Sequence, residues 1–313
     1  MARKSKTQIW IEYAAVRAVL GILGVLPRVL AVSVAIAAAR LGFYALPSLR
    51  RTGMRNLEIA FPEKNIADRR SILRGTFDNL GRVLGEVSKF PTTTPAKLER
   101  IIDFELDDDS RALYAANKAD RRGVLITTGH LGNWELLVFG FAALHEPISY
   151  LARPIDNPLI EELTVRFRTR FGNRPINKTH SAMLAIKILR EGGILGILSD
   201  VNAHPKEGVF VPFFGVPACT PSGAAMLALR SDSFIFPTFC VWDKTSKRYK
   251  FVHGSLLEPV RTGDRKKDVV ETTALYTAEI EKIIRQYPDQ WMWIHKRWKT
   301  RPPGETEIYG RSS

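Results

Sequence analysis

The stretch GVLITTGHLGNWELL, residues 123–137, holds the pair best suited to chemistry: His130 and, five positions on, Glu135. Were the stretch helical throughout, that offset would set the two side chains about 140° apart around the axis. The pattern argues otherwise. Residues 124–127 are a short apolar run suited to a buried strand, Asn133 is a good N-cap, and residues 134–144 read as an apolar helix. His130 therefore falls in a strand-to-helix turn and Glu135 in the first helical turn. Gly129 and Gly132 permit a turn tight enough to bring the two together. Such turns lie at the carboxyl edge of an open α/β sheet, where ligands bind. A carboxylate beside an imidazole fixes the ring tautomer and stabilises the imidazolium formed when histidine takes a hydroxyl proton. The same residues fit a second role, in which His130 caps the helix and Glu135 offsets its dipole. Residue types alone do not choose between them.

The elements that must position this turn alternate. Strands are expected at 124–127, 148–152 and 194–199, with helices at 134–144, 157–171 and 181–191 between them. A helix opening at Thr220-Pro221, strands at 234–242 and 249–257 joined by a polar turn, and a helix over 267–286 complete the pattern. Upstream, apolar residues at helical spacing run from 66 to 90, and Thr94-Pro95 opens a short helix. Strands separated by helices of 10–15 residues imply βαβ units. The fold class is α/β, a mostly parallel or mixed sheet flanked by helices.

The chain has 313 residues, with 46 Lys and Arg against 32 Asp and Glu, a net charge of +14. That excess calls for an anionic partner: a membrane surface, an acidic protein or nucleic acid. It is concentrated at the start, where residues 1–55 carry nine basic residues and one acid, Glu12. The longest apolar run, 18–49, lies in the same stretch and is divided at Pro27-Arg28. Each half is of marginal length for a span. The expectation is a helical membrane anchor over 1–55, either one tilted span or a hairpin dipping into one leaflet, with a buried helix pair as the alternative. Cys219 and Cys240 form no CxxC pair, no Walker or dinucleotide fingerprint occurs, and no histidines have zinc-ligand spacing. No metal and no bound cofactor are expected.

Five segments, taken together, resemble a known family. His130-Leu-Gly-Asn-Trp-Glu135 is similar to the His-x4-Asp/Glu motif of the lysophospholipid acyltransferase superfamily, in the Gly-Asn-Trp form of the late acyltransferases of lipid A biosynthesis and the phosphatidylinositol mannoside acyltransferases. Residues 56–62 (NLEIAFP), 150–153 with Asn157-Pro158, 208–215 (GVFVPFFG), and 288–293 with 297–302 match the remaining blocks in order. The resemblance covers about residues 10–303. It implies a glycerol-3-phosphate acyltransferase-like fold and transfer of a fatty acyl chain from an acyl carrier protein or coenzyme A thioester to a hydroxyl. The acceptor would be a lipid A precursor, or alternatively a lysophospholipid or mannoside. His130 would be the general base and Glu135 its orienting partner, with no acyl-enzyme. That agrees with the lack of a Gly-x-Ser-x-Gly elbow.

The resemblance also implies substrate contacts. Arg153, at a strand end, is tied to acceptor binding and has the forked donors that suit a phosphate. Asp200 ends the next strand, but the family's Asp-Gln reads Asp200-Val-Asn202 here, which leaves its role open. Glu207-Gly208 matches a block assigned to the acceptor, and Asn133 with its neighbouring N–H groups is placed for a developing oxyanion. The run 210–214 fits either sheet core or an acyl groove. Trp291, Trp293 and Trp298, interleaved with basic residues, fit a membrane interface, a nucleic-acid platform or a packed C-terminal cap. Missing recognition motifs weigh against nucleic acid. The expected organisation is an anchor at 1–55, a helical connection at 56–105, an acyltransferase domain at 106–305 and a tail at 306–313. The expected location is the cytoplasmic face of the cell inner membrane.

Overall fold

Residues VLITT, ILGIL and the first half of FIFPTFCVWD show no polar alternation, the pattern of strands covered on both faces. In the computed structural model, which describes residues 4–104, 107–108, 111–112, 119, 121–177 and 182–310, they form the centre of a seven-stranded sheet. The strands are β1 (Ile102–Asp103), β2 (Val124–Thr128), β3 (Ser149–Ala152), β4 (Arg174–Asn177), β5 (Ile194–Leu198), β8 (Phe234–Asp243) and β9 (Arg248–His253), ordered β1-β9-β8-β2-β5-β3-β4. Every pairing is parallel except β8 with β9. The expected class, a mostly parallel or mixed α/β sheet, holds.

Alternate residues of each strand feed two layers. Leu125, Leu195 and Ile235 pack on one face with α8 (Ala182–Arg190), α9 (Gly223–Ser231) and α10 (Arg265–Gln286). Val124, Ile126 and Phe236 pack on the other with Phe141 of α6 (Trp134–Leu144). Between β3 and β4 lies α7 (Pro158–Arg168), and α5 (Pro95–Glu99) lies against α6.

Two edge strands and one hairpin were not expected. β4 reads RPIN; its proline is tolerated because it is an edge strand. β1 is only two residues long. β6 (Gly208–Phe213) and β7 (Val216–Pro221) form a separate hairpin closed by Phe214 and Gly215, at φ 51° and 73°. The helix expected from Thr220-Pro221 begins at Gly223 instead, because Thr220 pairs with Val209 across that hairpin. The first residue of the helix expected at 181–191, and His180, lie outside the described residues.

Ahead of α5 and the sheet come α1 (Lys6–Val25), α2 (Arg28–Ala45), α3 (Pro47–Ala60) and α4 (Ile66–Val87). By length and composition, α1 and α2 are each sufficient to cross a membrane. Trp291, Trp293 and Trp298 are fully buried and meet Phe61, Phe213 and Phe214 in edge-on and tilted ring contacts. Of the three settings that fit the sequence, theirs is the packed cap. Arg297 is buried with them, its guanidinium donating to Cys219 O at 3.1 Å and Thr220 Oγ1 at 2.6 Å over the Phe213 ring.

Candidate active site

Parallel register builds the site. Thr128 of β2 pairs with Leu198 of β5, and the Ser199 N–H continues the ladder to Thr128 O at 2.9 Å. Two residues beyond each strand end stand His130 and Asp200, side by side at the carboxyl edge. The Asp200 carboxylate receives the His130 backbone N–H at 2.6 Å and the Trp291 indole N–H at 2.8 Å, and its other oxygen lies 2.9 Å from His130 Nδ1. A Cβ at position 129 would fall 2.8 Å from this carboxyl group, so the glycine leaves room for it. At position 132 the backbone is left-handed, φ 62°, and a Cβ would meet Cys240 O at 2.1 Å.

The C-terminal segment clamps the turn from outside. Met292 N–H donates to His130 O at 3.0 Å, and Gly132 N–H to Gln290 O at 3.1 Å. Asn79 of α4 reaches Gly132 O and Gln290 O at 2.8 and 3.0 Å. Asn56 bonds Trp293 O and His295 O, and accepts from Tyr309. Asn202 holds Thr300 through both its amide atoms.

With Nδ1 directed at a buried carboxylate, it carries the proton and Nε2 is the free base. Burial would lower the His130 pKa, but the charge and hydrogen bond of Asp200, with a smaller contribution from Glu135, outweigh burial and the opposing Arg168 and raise it above the ordinary value. Burial would raise Asp200, yet His130, the nearby His295 and the Trp291 indole together hold its carboxyl well below the usual carboxylate range. His295 itself is pushed down to about 4 by burial, so it stays neutral, with its Nδ1 on Met292 O at 2.7 Å.

The other expected residues are dispersed. Glu135 does not contact the His130 ring; its carboxylate pairs in a fork with Arg168 of α7, Oε2 receiving Nε at 2.7 Å. Asn133 is wholly buried: its Oδ1 caps α6 at Leu136 N, its Nδ2 faces Tyr249 OH at 3.4 Å, and its N–H is taken by Cys240 O at 2.7 Å. The N–H groups of Gly132 and Asn133, expected to face an oxyanion, are thus both engaged. Arg153 is exposed at the end of β3, 3.8 Å from Asp156, and Glu207 is an exposed turn carboxylate. Asp200 is brought to His130 and Glu135 to its vicinity, while Arg153 and Glu207 are exposed at a strand end and a turn.

Sequence reasoning did not find Arg168 or the indole of Trp291. His130 and Asp200 each stand two residues beyond a strand, which the sequence pattern indicates, but that β2 and β5 are neighbours in the sheet follows only from the topology. A narrow apolar cleft, part of it open to solvent, runs between the sheet and α6. Trp134 and Glu135 line it near the turn, and Ile126, Phe141, Tyr150 and Gly196 farther in. The His130 ring touches Trp134 edge-on, with centroids 5.0 Å apart. The run 210–214 is not part of it; Phe213 and Phe214 are core. Both cysteines are buried, and burial raises both thiols.

An imidazole held by a carboxylate at a sheet edge, next to a cleft walled by hydrocarbon, is a site suited to moving a proton beside an apolar group on an α/β fold. The chain belongs to the bacterial lipid A biosynthesis acyltransferase family, whose model matches residues 2–300. It is an acyltransferase. It is 31% identical to the lipid A biosynthesis lauroyltransferase of Escherichia coli over 276 residues, 86% of each chain. It is 28% identical to the palmitoleoyltransferase of that organism over 86% of each chain, and 23% identical to the myristoyltransferase over 87% of this chain and 83% of the relative.

Proposed function

We propose that the protein transfers a fatty acyl chain from a carrier-protein or coenzyme A thioester to a hydroxyl of a lipid A precursor at the cytoplasmic face of the inner membrane, with His130 as general base. The observation carrying this reading is the His130 Nδ1–Asp200 contact, which leaves Nε2 as proton acceptor beside the apolar cleft. The acceptor oxygen attacks the thioester carbonyl as Nε2 takes its proton. The tetrahedral oxyanion collapses, the C–S bond breaks, and the imidazolium returns the proton to the leaving thiolate. The raised pKa of His130 suits both transfers. The first N–H groups of α6, at Trp134 and Glu135, are ones a helix cannot bond internally and are the donors we assign to the oxyanion.

In this reading Asp200 orients His130, while Glu135 acts through Arg168 and adds negative charge near the ring. We retain Arg153 and Glu207 as acceptor contacts at the rim, where Arg153 supplies charge for a phosphate. The donor's chain occupies the apolar cleft. The relatives' names support the lipid A acceptor. The excess of basic residues supports an acidic carrier protein as donor.

The test is acyl transfer by detergent-purified protein, with carrier-protein and coenzyme A thioesters offered separately to lipid A precursor and lysophospholipid acceptors. His130→Ala is expected to lower the rate by about 10²–10⁴. Equal rates for variant and wild type would remove His130 from the chemistry.

A further inference from the structure

The helices α1 and α2 pass the length test for membrane spans, but their attachment points to a different use. α2 lies antiparallel along α4 with backbones in close approach. A Cβ on Gly81 would fall 2.6 Å from Ala35 O, and one on Gly85 2.7 Å from Val32 Cα. Ion pairs close both ends of this contact: Arg28 with Glu86 at 2.5 Å, where the carboxylate is buried, and Arg40 with Asp78 at 2.7 Å. The elbow between α1 and α2 is held as well, since Lys89 donates to Leu23 O at 2.7 Å, to Gly24 O at 3.0 Å and to Leu26 O. The start of α1 is fixed on α7, whose N-cap Asn157 donates to Ile9 O at 2.9 Å and to Glu12 at 3.0 Å.

α4 cannot enter hydrocarbon. It carries Arg69, Arg70, Arg74, Asp78, Arg82 and Glu86, and its far side grips the His130 turn through Asn79. A helix fastened to α4 at both ends therefore cannot cross either. What α2 offers outward is a stripe of exposed apolar residues, Val29, Leu30, Val34, Leu41 and Tyr44, within an arc of about 140°. α1 continues it with Trp10, Ile11, Ile22 and Val25, the last 84% exposed. A basic groove with Arg51, Arg55 and Arg70 borders one end of α2, and Lys97 and Arg100 border the elbow.

We infer that α1 and α2 form an in-plane seat on an anionic lipid surface, inserting one apolar face into a single leaflet and crossing nowhere. Apolar residues centred between basic ends match hydrocarbon bordered by negatively charged headgroups. Because α4 holds the seat on one side and the His130 turn on the other, the site rides about one helix diameter, about 10 Å, above that leaflet. The inference deepens the membrane part of the proposed function and is independent of the chemistry assigned to His130.

Single cysteines at Ser5, Val25 and Glu307 in the full chain test it, with Cys219 and Cys240 kept because both are buried. Membrane-impermeant maleimide is applied to intact spheroplasts and to lysed membranes. Neither S5C nor V25C is expected to react from the side opposite E307C. Opposite-side labelling of S5C means α1 crosses, of V25C that the hairpin crosses, and either overturns the seat. In a second arm, the full chain is sedimented with phosphatidylglycerol–phosphatidylethanolamine or neutral phosphatidylcholine vesicles. Val34→Asp with Leu41→Asp is expected to lower partition onto the anionic vesicles at least tenfold. Unchanged partition, or a change only in oligomeric state as a self-association face would give, overturns it. Arg51→Gln with Arg70→Gln is expected to weaken binding to anionic vesicles about tenfold and leave neutral vesicles unaffected. Equal effects on both overturn the choice of an anionic surface. A failed acyl-transfer assay would leave these readouts untouched.

Discussion

At the scale of single residues, Asp200 carries more of the site than its place after a strand would indicate. Its carboxylate takes the His130 N–H, faces Nδ1 and takes the Trp291 indole, all within 2.9 Å. Asp200→Asn keeps the volume and removes the charge. If His130 is the general base, as proposed, it must be neutral to act, so activity should be present above its folded-state pKa and lost as pH falls through it. Asp200 raises that pKa above 6.5. The variant should therefore show a lower maximal rate, by about 10²–10⁴, and an acidic limb moved to lower pH, read from kcat/KM against pH. A limb at unchanged pH would mean that the titrating group is not His130. Glu135 calls for a different measurement. Arg168→Ala would leave a largely buried carboxylate without its fork and is expected to lower stability by about 3–5 kcal/mol in thermal unfolding. Restoring charge with Arg168→Lys should recover only part, because a point charge cannot reproduce two parallel bonds.

At the scale of elements, asparagines fix how the helices meet the C-terminal segment. Asn56 of α3 satisfies two carbonyls and the Tyr309 hydroxyl at once, all beneath the tryptophans. Asn56→Ala should destabilise by about 1–3 kcal/mol for each buried group left unpaired, seen as a lower unfolding temperature in detergent. The central strands and the cap at Asn133 were legible because buried runs of Val, Ile and Leu and an Asn before an apolar helix have one reading each. The β6–β7 hairpin was not. Its turn is Phe214-Gly215, with a bulky residue at positive φ where Asn or Asp is usual, so no local signal marks it. Glu135 was drawn to His130 by closeness in sequence, yet Arg168 competes for it from 33 residues away. Such a partner follows from how α7 packs, and sequence spacing does not contain it. The tryptophans illustrate the same limit. Interleaved with Lys and Arg they have an interfacial composition, but burial under α3 and the hairpin decides their setting.

At the scale of the molecule, the two layers on the sheet are not equally full. One face is packed by α8, α9 and α10 with the aromatic cap; the other leaves the cleft beneath α6. Gly196, in the middle of β5, contributes to this gap. A methyl there would meet nothing closer than Tyr150 Cβ at 3.6 Å, an ordinary contact. Gly196→Ala should therefore fold and act much like wild type. Gly196→Leu would extend a branched side chain toward Tyr150 and Ile148, both of which line the cleft. If the donor's chain lies there, long chains lose room and short ones do not. Each methylene displaced is worth about 1–3 kcal/mol of discrimination. The ratio of kcat/KM for long over short acyl thioesters should then fall at least tenfold in Gly196→Leu, while the rate with the shortest donor stays near that of Gly196→Ala. A uniform loss across chain lengths would report damage to the sheet. An unchanged ratio in a folded variant would place the chain outside this cleft, because no other outcome follows from filling a space the substrate occupies.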